Sequence, residues 1–244
     1  IWEHHFEATS YGFRPCRGAS DAIAKIYSHV RGFNRPWIFE GDFKSCFDTL
    51  DHEYIMEQVR YFPASKTISR WLKAGYLDDN VFYGSDSGTP QGGIISPLLA
   101  NIALHGMEEA LDIKYTRYRR KDGSYTYSNV SKYVMVRYAD DFVILCKTKE
   151  DAYKVPKLLN SYLKKRGLTL AEDKTRITHI DKGFDFLGIN IKSYFSRNRK
   201  VVLTKPSKSS IISFKDKARR IFIKAYGGDI ESFIDSLNNL IIGT

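Results

Sequence analysis

Helical spacing of apolar residues recurs along the chain. After Ser20, which is a good N-cap, apolar residues return on one face as far as Val30. Ser96 and Pro97 form a helix start, with serine as cap and proline at the first helical position. Helical patterns also follow Pro206, a predicted boundary. The predicted helices before Pro206 cover residues 20–30, 51–60, 65–75, 96–111 and 148–166.

A second pattern predicts strands. Alternation over residues 37–43 places Asp42 on the face opposite Phe43. Two short apolar runs flank Asp140 and Asp141, which predicts a hairpin with these carboxylates at its turn. Helices interspersed with hairpins indicate an α+β fold. The predicted strands are 37–43, 133–138, 142–146, 175–180, 184–192 and 201–204, with a further hairpin turn at Asp122-Gly123.

Composition narrows the functional classes. The 244 residues are 43% hydrophobic, which suffices for a core, and no apolar run approaches the roughly 18 residues of a membrane span. Cys16, Cys46 and Cys146 are widely separated, which argues against a disulfide framework and a zinc site. The net charge of +10 favours a polyanionic partner, of which nucleic acid is the commonest, although a basic soluble protein without such a partner is the alternative.

Three segments suggest one chemistry. They are residues 42–48, residues 89–97, which contain Pro90-Gln91-Gly92-Gly93, and Tyr138-Ala139-Asp140-Asp141. Nucleotidyl transfer uses two Mg²⁺ ions roughly 3.5–4 Å apart, held by carboxylates from elements that meet in space. An Asp-Asp pair or a Gly-Gly pair alone is ordinary turn chemistry. The three segments in this order are much more specific than any one of them.

The chain resembles the reverse transcriptases of group II introns, the intron maturases of bacteria and organelles. The motifs that carry the resemblance extend over nearly the whole chain. They are Tyr11-Gly12-Phe13-Arg14-Pro15, Asp42 to Asp48 with Asp51-His52, Gly88 to Gly93 with Ser96 to Asn101, Arg137 to Phe142, Gly167-Leu168 with Lys174-Thr175, and Phe186-Leu187-Gly188. Retron and diversity-generating enzymes share fewer of these segments, so a reverse transcriptase of that type is the weaker alternative.

The resemblance implies roles for individual residues. Asp42, Asp140 and Asp141 would be the catalytic acids that hold two Mg²⁺ ions, with Mn²⁺ as a substitute. Phe47 would be the aromatic gate beneath the incoming sugar. The other implied nucleotide-binding residues are Arg14, Arg17, Gln91, Gly92 and Lys174. Two of these have a structural alternative, because Arg14 would equally serve as a salt-bridge anchor of the fingers and Lys174 as an exposed charge.

Two basic stretches are candidates for nucleic-acid binding. The first, residues 114–121, interleaves tyrosines with cations, a combination that suits backbone contact and base stacking; a solvated loop is the alternative. The second begins at Arg197 and resembles the start of the family's thumb, which grips the template–primer duplex. The residues predicted to bind nucleic acid are Arg117, Arg119, Arg120, Lys205, Lys208 and Lys215.

The predicted architecture is a right-hand polymerase palm, an antiparallel sheet backed by helices, with fingers elements and the start of a helical thumb. Parts of the family's fingers and most of its thumb are expected to be missing, and the family uses those parts to grip the template and to contact the triphosphate. The predicted domains are 1–36 fingers (partial), 37–50 palm, 51–90 fingers, 91–205 palm and 206–244 the truncated start of the thumb.

The predicted function is RNA-directed DNA polymerisation for a group II intron, with intron RNA binding that assists splicing and mobility. An RNA-binding splicing cofactor, or maturase, is the main alternative. The expected partners are intron RNA, an RNA template with a DNA primer, and deoxynucleoside triphosphates; no membrane is expected, and a homodimer is a candidate. The expected location is a cytoplasmic ribonucleoprotein of a bacterium, with an organellar origin as the alternative.

Overall fold

The computed structural model describes residues 2–78, 81–83, 87–89, 93–226 and 228–243. The chain forms two compact units, Ile1–Ile180 and Asp181–Thr244. The predicted boundaries of fingers, palm and thumb stay predictions, because a division into compact units does not identify polymerase subdomains.

Helices and strands alternate through the described residues. The helices are, in chain order, α1 (Trp2–His5), α2 (Ala19–Val30), α3 (Cys46–Thr49), α4 (His52–Gln58), α5 (Ser65–Lys73), α6 (Ser96–Ala103), α7 (Met107–Ala110), α8 (Lys149–Lys164), α9 (Lys208–Ala225) and α10 (Ile230–Ile242). The strands are β1 (Trp37–Gly41), β2 (Tyr76–Asp78), β3 (Val81–Tyr83), β4 (Tyr115–Arg119), β5 (Tyr125–Asn129), β6 (Tyr133–Tyr138), β7 (Asp141–Cys146), β8 (Arg176–His179), β9 (Phe184–Phe186), β10 (Ile189–Ser196) and β11 (Arg199–Pro206). The predicted α+β class is confirmed.

The first unit is built on a four-stranded sheet with the order β6-β7-β1-β8, in which every neighbouring pair is antiparallel. Ile38 and Phe39 point to opposite faces of β1, and both are fully buried. Helix α8 packs against β1 and β7, and α2 packs against β6 and β7. Burial on both faces makes the sheet a rigid support for side chains at its end.

Three predicted elements differ from the observed ones. Helix α2 is capped by Gly18 rather than Ser20, and the Gly18 N–H donates to Oδ2 of Asp21 at 2.8 Å. The predicted helix 96–111 divides into α6 and α7, because Gly106 adopts a φ of +94° that a continuing helix does not allow. The predicted strand 184–192 divides at Leu187-Gly188, where both residues have positive φ, into the paired strands β9 and β10.

The second unit contains a three-stranded antiparallel sheet in the order β11-β10-β9, followed by α9 and α10. The rings of Phe222 and Phe233 lie 5.2 Å apart and join the two helices. Neither helix has a buried residue among those described. Across the described parts of both units, no helix combines the length and the apolar character needed to cross a membrane.

Acid should weaken the first unit through His29, near the end of α2. Its Nε2 is buried and has no hydrogen-bond partner among the described residues. Burial, helped by the positive charges of Lys25 and Arg35, lowers the pKa of His29 from 6.5 to about 4. Because the folded pKa lies below the unfolded one, the stabilisation is fully present above pH 6.5 and is lost as the pH falls towards 4.

Because His29 is only partly buried, solvent screening reduces the expected loss to about 1–2 kcal/mol of unfolding free energy. It is measured by urea unfolding of the parent and of His29→Gln, which does not titrate, at several pH values between 7 and 4. The parent curve should fall more steeply than the variant curve. Parallel curves would show that His29 is already exposed to water in the folded protein.

Candidate active site

Strands β1 and β7 bring the predicted acids to one edge of the central sheet. Gly41 of β1 pairs with Phe142 of β7 in antiparallel register. Asp42 follows Gly41, and Asp141 precedes Phe142, so the two aspartates lie one position beyond this pair on adjacent strands. Neighbouring strands lie about 4.8 Å apart. Asp140 is the second residue of the two-residue turn between β6 and β7.

The carboxylates repel one another at this edge. Partial desolvation raises the pKa of Asp141, and the negative charges of Asp140 and Asp42 raise it further, whereas Lys174 opposes the shift. The Lys174 ammonium lies 3.0 Å from Oδ2 of Asp42. The hydrogen bond to Asp42 and its charge raise the pKa of Lys174. The edge therefore favours a cation, and a lysine side chain supplies one.

The chemistry of these side chains suits a hard divalent cation. Mg²⁺ prefers oxygen ligands and usually binds one or two carboxylates together with substrate phosphates and water. The described residues contain no group of three acidic, histidine or cysteine side chains close enough to hold a metal by themselves. An open edge of carboxylates is consistent with ions whose remaining ligands come from the substrate.

The backbone around Asp42 forms hydrogen bonds with the segment that precedes β8. The Ala171 N–H donates to the Asp42 carbonyl at 2.9 Å, and the Lys44 N–H donates to the Thr169 carbonyl at 2.9 Å. This pairing places Lys174, three residues beyond Ala171, beside the Asp42 carboxylate. The lysine is 64% exposed in its side chain, so its ammonium is accessible as well as paired.

The turn that carries Asp140 rests on the N-terminal segment. Ala139 has a φ of +56°, an uncommon conformation for a residue other than glycine. A Cβ added to Gly12 would lie 2.3 Å from the Ala139 nitrogen, so only glycine allows this close approach. The N-terminal segment thus supports the turn through direct backbone contact.

A buried arginine links this turn to α6. Arg137 is fully buried, and its Nη1 donates to the Ala139 carbonyl at 2.9 Å. The same nitrogen donates to Oδ1 of Asn101 at 2.9 Å, and Asn101 Nδ2 donates to the Gly12 carbonyl at 2.9 Å. Sequence reasoning assigned no role to Arg137 or Asn101. The available signal was a lone arginine within an otherwise apolar strand, since such a residue is rarely buried without partners.

Phe47 lies in α3, half-buried against the hydrophobic core. The Thr89 N–H donates to its carbonyl at 2.6 Å, and the Gly88 N–H donates to the Leu50 carbonyl at 2.7 Å. The beginning of the Gly-Gly segment is therefore fixed against α3, beside the predicted aromatic gate. Gln91 and Gly92, which were predicted to bind nucleotide and template, lie outside the described residues.

Arg14 and Arg17 have different surroundings. Arg14 is buried, and its guanidinium pairs with Oε1 of Glu3 at 2.6 Å and donates to the carbonyls of Glu7 and Ser10, both at 2.7 Å. These contacts favour the anchoring alternative over triphosphate binding. The Arg17 side chain is 31% exposed and donates to the Ala8 carbonyl at 2.8 Å, which leaves part of its guanidinium accessible.

The residues predicted to bind nucleic acid are all exposed. Three of them, Arg117, Arg119 and Arg120, lie on or directly after β4 of the β4–β5 hairpin. The other three, Lys205, Lys208 and Lys215, lie in the second unit. A side chain must be exposed to contact nucleic acid, and these residues meet that condition. Their roles stay predictions.

Comparison with known proteins identifies the family. Residues 1–191 match the family described as "Reverse transcriptase (RNA-dependent DNA polymerase)". Protein YkfC of Escherichia coli strain K12 is 34% identical over 240 residues, which cover 86% of this chain and 62% of YkfC. The group II intron-encoded protein LtrA of Lactococcus lactis subsp. cremoris is 34% identical over 247 residues, which cover 79% of this chain and 40% of LtrA.

The chain thus spans less than two thirds of the length of these relatives. Among solved structures, telomerase from Candida albicans, in a complex with a fragment of telomeric RNA, aligns with a TM-score of 0.56. That alignment covers 95% of this chain and 42% of the telomerase chain at 14% identity, so it supports the fold alone. Together with the match over residues 1–191, it confirms the predicted reverse transcriptase fold. The identity to LtrA confirms the resemblance to group II intron proteins, and the chain belongs to the reverse transcriptase (RNA-dependent DNA polymerase) family.

Proposed function

We propose that this chain carries the polymerase centre of a group II intron reverse transcriptase, which synthesises DNA on an RNA template by two-metal nucleotidyl transfer. The observation that carries the proposal is the placement of Asp42, Asp140 and Asp141 at one edge of a rigid sheet. The family match contains all three residues. A protein that only binds RNA has no need for three acids at one sheet edge.

Asp42, Asp140 and Asp141 would hold two Mg²⁺ ions, with Mn²⁺ as a substitute. When bound, such ions stabilise the charge that develops on the attacking and leaving oxygens. The exposed ammonium of Lys174 lies 3.0 Å from the Asp42 carboxylate, and it would contact the leaving pyrophosphate. Phe47 would lie beneath the incoming sugar, and the Arg137–Asn101 contacts would keep the turn in place during turnover.

The proposed partners are an RNA template with a DNA primer, deoxynucleoside triphosphates and the intron RNA itself. The net charge of +10 and the relation to an intron-encoded protein support RNA binding that assists splicing and mobility. A cytoplasmic ribonucleoprotein and a homodimer belong to the same proposal. Retron or diversity-generating enzymes are not favoured by these relatives.

The decisive experiment is primer extension by the full-length protein. It should extend a DNA primer on an RNA template with Mg²⁺ and deoxynucleotides, and Asp140→Ala should remove the extension while leaving intron RNA binding nearly unchanged. Binding is measured by filter retention against an unrelated RNA of equal length. Extension by Asp140→Ala at the parent rate would refute the polymerase assignment. Selective RNA binding without any extension by the parent would favour the splicing-cofactor alternative.

A further inference from the structure

The β4–β5 hairpin has two faces of different chemistry. Paired residues of antiparallel strands share a face, and successive residues alternate between faces. One face, here called the arginine–tyrosine face, carries Tyr115, Arg117, Arg119, Tyr125, Tyr127 and Asn129. The opposite face carries Thr116, Tyr118, Thr126 and Ser128. Arg120 belongs with the opposite face, because its Nη2 lies 3.4 Å from Oγ1 of Thr126.

The arginine–tyrosine face presents rings and guanidinium groups together in water. The Arg117 guanidinium lies 4.4 Å from the centre of the Tyr125 ring. Tyr125 is 55% exposed and Tyr127 is 67% exposed, although both rings would gain from contact with an apolar or aromatic surface. Arg119 extends along the same face towards the turn at Gly123. Exposed rings beside cations form the surface on which nucleic-acid bases stack and phosphates bind.

The hairpin is fixed to the rest of the first unit at its base. The Tyr115 hydroxyl donates to Oε1 of Glu108 at 2.8 Å, and Asn129 Nδ2 donates to the Tyr133 carbonyl at 2.9 Å. Tyr133 begins β6, whereas the turn that carries Asp140 follows the other end of that strand. Five residue steps of about 3.4 Å separate the two ends by roughly 17 Å. The face is thus a surface apart from the carboxylates.

We propose that the arginine–tyrosine face binds an unpaired nucleic-acid strand, with bases stacked on Tyr125 and Tyr127 and phosphates held by Arg117 and Arg119. The inference rests on the proposed function and deepens it by naming the strand state that this surface recognises. Bases within a duplex are already stacked and present only their edges and backbone, so the rings would gain little from a duplex. Unpaired RNA and unpaired DNA offer the same chemistry.

The test compares matched double variants of the full-length protein. Arg119→Gln with Tyr127→Leu removes one cation and one ring from the arginine–tyrosine face. Arg120→Gln with Tyr118→Leu removes the same two types of side chain from the opposite face. Fluorescence anisotropy measures affinity for a short unstructured oligoribonucleotide, for the same sequence as DNA, and for the RNA annealed to its complement, all at one salt concentration.

The first variant should lose roughly tenfold in affinity for the unpaired strand, and the second variant less than about threefold. Affinity for the duplex should change equally little in both. Equal losses of affinity in the two variants would show that the hairpin contributes only its positive charge, and would overturn the proposal. A loss for the duplex that is confined to the first variant would overturn it as well. A loss confined to RNA or to DNA would support the proposal and identify the source of the strand.

Primer extension separates this inference from the proposed function. The parent should extend a pre-annealed primer–template, whereas Asp140→Ala should not extend it but should bind the unpaired strand like the parent. A parent that does not extend primers refutes the polymerase assignment without changing the comparison of the two faces. Identical circular dichroism spectra and melting temperatures establish that the variants are folded.

Discussion

Replacing Asp42 by asparagine should reduce RNA-templated DNA synthesis by roughly a thousandfold or more, because it removes the charge of a predicted metal ligand while keeping its shape. Asp42 also pairs with Lys174 at 3.0 Å, so the same change leaves that ammonium without its carboxylate. The measurement is the rate of single-nucleotide addition by the full-length protein at saturating primer–template. The deficit should be in the maximal rate, since the primer–template is bound largely through other contacts.

Asp48 provides the matched control for this change. It lies six residues further along, in α3, and is exposed. Asp48→Asn removes the same charge from the same segment and should change the rate by less than about twofold, as most exposed substitutions do. Equal deficits in the two variants would assign the effect to net charge. Nearly full activity of Asp42→Asn would remove Asp42 from the metal site, and melting temperatures distinguish either result from unfolding.

The position of Asp42 was predictable because local patterns determine it. Alternation over residues 37–43 predicted the strand, and the apolar runs around Asp140 predicted the hairpin. The order of the motifs then indicated that the two elements share a sheet. The structure supplies what the pattern lacked, the Gly41–Phe142 register, which depends on pairing between residues about a hundred positions apart.

The support of the turn was not predictable in the same way. Arg137, Asn101 and Gly12 form a contact between three distant segments, and local periodicity carries no information about such contacts. Their side chains were visible in the motifs, but their roles depend on burial. Likewise, the break of the predicted helix 96–111 depends on the φ of Gly106, and an isolated glycine in a helical pattern is often tolerated.

Arg14 shows a further limit of sequence reasoning. An arginine near a predicted fingers motif suits a phosphate and a carboxylate equally well, because its guanidinium fits both. The structure surrounds Arg14 with Glu3 and two backbone carbonyls, and its side chain is only 2% exposed. Burial, which the sequence did not contain, favours the anchoring alternative, and a role of Arg14 at the triphosphate stays a prediction.

Adding a single methyl group at Gly41 should destabilise the protein by roughly 2–3 kcal/mol, because the methyl would overlap a core ring. A Cβ built on Gly41 would lie 2.2 Å from Cζ of Phe142. That ring is 1% exposed, and its centre lies 4.9 Å from the Phe43 ring, so it has little space to withdraw. The lower chain entropy of alanine when unfolded offsets only about 0.4–1 kcal/mol.

Urea unfolding measures the effect, and Gly32→Ala is its control. Among the residues that the structure describes, a Cβ at Gly32 would meet only the Asn34 amide nitrogen, at 3.5 Å, so that variant should be neutral or slightly stabilised. Phe142→Leu removes the ring that the methyl group would overlap. The double variant Gly41→Ala, Phe142→Leu should therefore be more stable, by about 1 kcal/mol or more, than the sum of the two single effects predicts. Additive effects would show that the methyl and the ring do not compete.

Gly41→Ala should lower the rate of primer extension by more than its loss of stability explains. Asp42 directly follows Gly41 and Asp141 directly precedes Phe142, so a shift of the ring or of the strand end changes the separation of the two carboxylates. A displacement of about 1 Å at a catalytic group is enough to lower a rate by roughly a hundredfold. At a temperature where the variant is fully folded, primer extension should therefore remain impaired, whereas Gly32→Ala extends normally. Normal extension by folded Gly41→Ala would show that the sheet edge tolerates a change in strand spacing, and the rigid placement of the acids would then not be what the chemistry requires.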